Sequence, residues 1–163
     1  MTKGGDNRFF NNIFIGQGAS DYVPKKDAKP KTSITGFGLW VYDSREFPPK
    51  TGGNVYCNGA RPYVAETNHV VQAGDGTQVK LMDEGDHVFL NLTLDKALLT
   101  SKTTLVTTEF LGKAKVPGCA YENPDGSSLK VDADYFGKKR NRKNPSAGPF
   151  ENAGEGKTSL KVW

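Results

Sequence analysis

Apolar and polar positions alternate most clearly near the middle of the chain. Between His87 and Leu94, Val88, Leu90, Leu92 and Leu94 alternate with Phe89, Asn91, Thr93 and Asp95. That period of two, with one apolar face, predicts a strand. Gln78 to Met82 predicts its partner, and Asp83-Glu84-Gly85-Asp86 reads as the turn between them. Near the start, Arg8 to Ile15 (RFFNNIFI) is rich in aromatic and β-branched residues and also predicts strand. The Asn11-Asn12 pair interrupts it. Asn tolerates left-handed backbone angles, so the pair predicts a tight corner between two short stacked strands.

Further strands are predicted at Gly36 to Tyr42, where both faces carry bulk, and at Gly53 to Asn58, closed by the turn pair Asn58-Gly59. Thr103 to Phe110, Leu129 to Val131 and Leu160 to Trp163 complete the set. The final Trp is expected to dock into a sheet, because its ring would otherwise expose a large apolar area. Asp95 is a plausible N-cap for a helical turn across Lys96 to Ser101. No helix-period segment exceeds about two turns. The fold class is all-β, a small β-sandwich-like domain with a short helix at most. The expected division is a coil over 1–20, an exposed linker loop over 21–35 that is rich in Lys and Pro, and the sandwich-like domain over 36–163, irregular in its C-terminal part.

Composition changes this picture little. The 163 residues suit one domain. With 19 glycines and 9 prolines, the chain favours turns and short elements. The formal charge of +4 is concentrated in Lys138-Lys139-Arg140 with Arg142 and Lys143. That run lacks the interleaved aromatics used for stacking on single strands, so a solvated loop is favoured over a nucleic-acid site. Cys57 and Cys119 can bridge each other, but Cys57 lies in the apolar run Val55-Tyr56-Cys57, and a buried free thiol is the simpler reading. No apolar stretch approaches the length of a membrane span, and the N-terminus has no apolar export core.

Most chemical motifs fail on inspection. Ala153 to Thr158 (AGEGKT) lacks the first glycine of a phosphate-binding loop, with Glu151 in its place. His69 and His87 have no metal-ligand spacing, and Asp132-Ala133-Asp134 lacks the full calcium-loop pattern. Nothing requires a metal or cofactor. Three aromatic-rich stretches remain, around Leu39 to Asp43, Val55 to Tyr63 and Ala120 to Asn123. Flat rings pack against the apolar face of a sugar, while carboxylates and Arg meet its hydroxyls. Trp40, Tyr42, Asp43, Arg45 and Tyr63 are therefore candidate glycan-binding residues. The competing reading is that these rings fill a small β core.

Two longer runs carry a family resemblance. Asp6 to Gly16 (DNRFFNNIFIG) resembles a late coil of a right-handed parallel β-helix protein, with Asn at a repeating corner. Gly53 to Pro62 (GNVYCNGARP) is similar to the segment that follows in secreted bacterial β-helix proteins of the glycoside hydrolase type, departing from it at Cys57. Asp134 to Gly137, Gly148 to Glu151 and Leu160 to Trp163 resemble the close of such proteins. The resemblance implies one remnant coil, an upstream β-helix domain as partner, a polysaccharide or oligosaccharide ligand, and an extracellular or periplasmic setting. It also implies that the catalytic acids lie on coils upstream. A non-catalytic accessory domain is thus the leading expectation. The alternatives are a purely structural cap and a small hydrolase using carboxylates such as Asp43, Glu46, Glu109 or Asp134. Glycoside hydrolysis needs two such groups about 5–9.5 Å apart.

Overall fold

The structure is a computed structural model and describes residues 5–16, 37–43, 45–74, 76–96 and 100–163. Among the described residues it is all-β apart from short helical turns. The Asn corner forms as expected. β1 (Arg8–Phe10) and β2 (Ile13–Ile15) flank Asn11, whose φ of 58° is left-handed. The same pattern recurs directly beneath. β3 (Lys50–Gly52) and β4 (Val55–Cys57) flank Gly53, with φ of 66°. β1 pairs in parallel with β3, β2 with β4, and β4 in turn with β5 (Val70–Val71). The first strands therefore stack on the segment 50–57.

Corner residues bind the layers. Asn54 Oδ1 accepts from the backbone N–H and the side-chain amide of Asn12, both at 2.9 Å. Its own amide donates to Phe9 O at 2.8 Å. An amide side chain presents both donors and an acceptor, which is why Asn suits a position between two layers.

The second sheet is antiparallel, in the order β6 (Gln78–Asp83), β7 (Val88–Leu94), β8 (Gly156–Lys161). The expected turn over 83–86 joins β6 to β7, with Gly85 at φ 76°. Alternation then sorts side chains between two cores. Val55 and Cys57 point one way, onto Leu94 of β7, with Ile13, Ile15, Val70 and Leu92 packed around them. Tyr56 points the other way, onto Leu39 and Ala60, with Phe9, Phe14, Tyr42 and Tyr63 around it. The sheet-on-sheet contact gives the sandwich-like layer. Phe14 stacks on Tyr56 at 5.1 Å with rings 10° apart, as in-register parallel strands dictate.

Four expectations are corrected. Gly36 to Tyr42 is not a strand, since Leu39–Tyr42 is a 3-10 turn. Gly38 adopts φ 119°, ψ −167°, which breaks extension, and Leu39 N–H then donates to Arg61 O at 2.9 Å. Thr103 to Phe110 ends in α1 (Thr108–Leu111), because the Thr107 side chain caps Phe110 N–H at 3.1 Å. Leu129 to Val131 is reduced to one bridge, Lys130 to Thr107. The Trp163 ring does not dock. It is 81% exposed, although the Trp163 backbone pairs with β7, donating its N–H to Val88 O at 3.2 Å and accepting Val88 N–H at 3.0 Å. Both cysteines are free, Cys57 buried and Cys119 exposed, and burial pushes the Cys57 thiol up. Residues 97–99 of the expected turn over Lys96 to Ser101, and all of the expected linker over 21–35, lie outside the described residues.

The basic run folds around an acid. Arg140 donates to Ser146 O and Gly148 O at 2.9 Å each and lies 3.7 Å from buried Glu151. Glu151 also accepts from the N–H groups of Asn141 and Ser146. Arg140 thus closes the C-terminal arm.

Candidate functional site

The five candidate residues lie on two loops. The first leaves the 3-10 turn at Asp43, whose N–H donates to Trp40 O at 3.0 Å. The second follows β4, where Asn58 (φ 50°) and Gly59 (φ 78°) reverse the chain. Arg61 then returns beside Gly38, with Arg61 N–H donating to Phe37 O at 2.8 Å. A second tie comes from Asp43, which accepts Val64 N–H at 2.9 Å. This knitting brings Trp40, Tyr42, Asp43 and Tyr63 onto adjoining loops.

Their roles differ. Trp40 is half-buried, and the Arg61 guanidinium sits over its ring at 4.3 Å from the centroid. Such a contact contributes roughly 0.5–1 kcal/mol at an exposed site and fixes the ring. Tyr42 packs on Phe9 at 5.5 Å, and its hydroxyl accepts from the Asn7 amide at 3.3 Å. Tyr63 is half-buried against the Leu39–Tyr56–Ala60 core. Arg45 is exposed, held through its backbone N–H on Tyr42 O at 3.1 Å. Asp43 is exposed, with one carboxylate oxygen committed to Val64. Tyr42 and Tyr63 thus belong in part to the core.

Two residues were missed by sequence reading. Arg61 stands next to the aromatic stretch, and the signal was its spacing two residues before Tyr63. Glu66 gave no signal. It is buried beneath the loops, accepting from Tyr56 O–H at 2.6 Å and Asn54 Nδ2 at 2.8 Å. Burial, together with that bond to Glu66, pushes the Tyr56 hydroxyl well above its ordinary value.

The carboxylates considered for hydrolysis are dispersed. Asp43 and Glu46 flank the first loop, while Glu109 lies in the first turn of α1. Asp134 organises a turn, accepting from the N–H groups of Phe136, Lys138 and Glu151 at 2.8–2.9 Å. Burial alone would raise the Asp134 carboxyl, but these donors and the Arg140 charge outweigh it and hold it below its usual range. Asp6 is lowered likewise, by the Arg8 hydrogen bond and ion pair at 2.7 Å and by Lys115 N–H. A lowered folded value means stability present above the ordinary carboxylate pKa and lost as pH falls through the folded one. The urea midpoint should therefore drop between pH 5 and about pH 3. Asp134→Asn should lower it at pH 5 and flatten that drop.

A cavity of about 460 Å³ opens elsewhere, between β2 and β7 under the C-terminal arm, lined by Ile13, Ile15, Leu92, Leu94, Pro145 and Phe150. None of the five candidates lines it. Among the described residues, no three His, Cys, Asp or Glu side chains gather as metal ligands would, and no helix is long and apolar enough to cross a membrane.

One solved structure bears on this geometry. The chain is similar to XylC, solved in complex with xylose. The two share 28% identity with a TM-score of 0.79, over 98% of this chain and 26% of that chain. This chain therefore spans about a quarter of the length of the protein it matches. Neither the family models nor the curated proteins contain a match.

Proposed function

We propose that this chain is a non-catalytic accessory domain of a larger carbohydrate-active protein, and that it contacts a glycan through Trp40, Tyr42, Asp43, Arg45 and Tyr63. The observation that carries the reading is the pair of loops joined at Gly38 and Arg61, which braces the Trp40 ring under the Arg61 guanidinium and ties Asp43 to Val64, next to Tyr63 in the chain. Similarity to a protein solved with xylose supports a pentose or related sugar as the ligand class. The resemblance to β-helix glycoside hydrolases supports the same assignment and a setting outside the cytoplasm. Against catalysis by the chain alone, Asp134 is spent on three backbone donors and Asp43 has one oxygen engaged.

Calorimetry with xylo-oligosaccharides tests the proposal. Trp40→Ala should weaken binding about three- to tenfold, the range of one ring contact. Tyr63→Phe keeps the core ring and removes only the hydroxyl, so a smaller loss is expected. No heat of binding, or affinity indifferent to Trp40→Ala, sinks the assignment. The core packing of Tyr42 and Tyr63 would then favour a purely structural cap.

A further inference from the structure

Among the described residues, the stacked layers end on an edge without a partner strand. Among the described residues, β1 and β2 each have a partner on one side only. Asn12 O accepts from Val55 N–H at 2.8 Å and Gly16 N–H donates to Cys57 O at 3.0 Å. With the register Ile13 to Val55, Phe14 to Tyr56 and Ile15 to Cys57, this turns the backbone groups of Phe14 toward β4. Those of Ile13 and Ile15 face the other way. A parallel edge with free N–H and C=O groups is a template for one more strand.

Three ladders reach that edge unfinished. In the backbone ladder, Ile13 and Ile15 stand where Val55 and Cys57 stand one layer below, and Val55 is itself paired on both sides. In the corner ladder, Asn54 Oδ1 receives the N–H of Asn12, whereas Asn12 Oδ1 receives none from any described residue. In the ring ladder, Phe14 lies on Tyr56, but Phe9 and Phe14 remain half-buried while Tyr56 is completely so. An occupant that finishes all three must be a parallel strand, a corner whose N–H meets Asn12, and a second strand with an inward apolar side chain over Phe14.

We infer that the outer edge of β1 and β2 receives one further parallel coil of strand, corner and strand, stacked in register and supplied by another part of a longer chain. This deepens the accessory-domain reading and rests on its premise of a larger protein. The length relation to XylC, in which nearly all of this chain corresponds to a quarter of a longer one, favours that source over a second copy. The layer beneath shows that the geometry accepts such a unit, since residues 50–57 are one.

A peptide copying residues 49–60, with Ser in place of Cys57, serves as the probe. Added at millimolar concentration to the dilute full chain, it should slow amide exchange at Ile13 and Ile15 at least tenfold. The same peptide N-methylated at its Tyr56 lacks the N–H that would meet Ile13 O and should have no effect. Unchanged exchange, or equal protection by the methylated peptide, overturns the inference. So does protection already present in the dilute chain, or protection that rises with chain concentration alone, which would make the occupant a second copy. Xylo-oligosaccharide binding is measured in the same samples. Glycan binding without peptide protection overturns only the coil, and protection without glycan binding overturns only the glycan assignment.

Discussion

Replacing Gly38 by Ala should lower stability by about 2–4 kcal/mol and abolish measurable glycan binding together. Gly38 has φ 119° and ψ −167°, a region open essentially to glycine alone. A Cβ there would stand 2.1 Å from Arg61 O and 2.7 Å from Arg61 N, both backbone atoms. The strand-like bridge between the two candidate loops would have to open. Arg61 would then leave the face of Trp40. Gly126→Ala is the matched control, with φ 81° but nothing within 4 Å of the new Cβ, and should cost only about 1 kcal/mol. Urea denaturation followed by Trp fluorescence reads both. Equal losses at the two positions would show that the loop junction does not depend on close approach at Gly38.

Glu66→Ala should be at least as damaging, at about 2–6 kcal/mol. Its two oxygens accept from Tyr56 and Asn54, both with no solvent exposure. Truncation strands a hydroxyl and an amide donor in the core, each costing about 1–3 kcal/mol. Tyr56→Phe removes one donor and keeps the ring stacked on Phe14, so a smaller loss of about 1–2 kcal/mol is expected. The double variant should lose less than the sum, because the stranded hydroxyl is gone. Denaturant midpoints of the four proteins close the cycle. A Glu66→Ala loss under about 1 kcal/mol would show that water reaches those donors.

Local signals were legible where chemistry is local. Asn11-Asn12, Asn58-Gly59 and the turn at 83–86 formed because left-handed angles are set by the residue itself. The alternation in 88–94 was equally readable, since one face of β7 is core. What failed was decided at long range. Leu39–Tyr42 curls because Arg61, far along the chain, captures Leu39 N–H. Trp163 stays in solvent because backbone pairing alone fixes β8. The stacking of 50–57 beneath 8–15 was invisible as a pairing, although both runs had been singled out. The candidate aromatics were visible by type, but Arg61 over Trp40 and Glu66 beneath them depend on which loops meet.

The parallel stack also sets a timetable for synthesis. Asn12 meets Asn54 across 42 residues of chain, and no nearer segment among the described residues pairs with β1 or β2. At translation rates of about 5–20 residues per second, the first strands wait roughly 2–8 seconds for their partners to be made. Through that interval Phe9, Phe10, Ile13 and Phe14 lack the partners that β3 and β4 later supply. The window is long enough for a hydrophobe-binding chaperone at the ribosome exit to compete with folding, and slowing elongation through residues 20–50 would lengthen it.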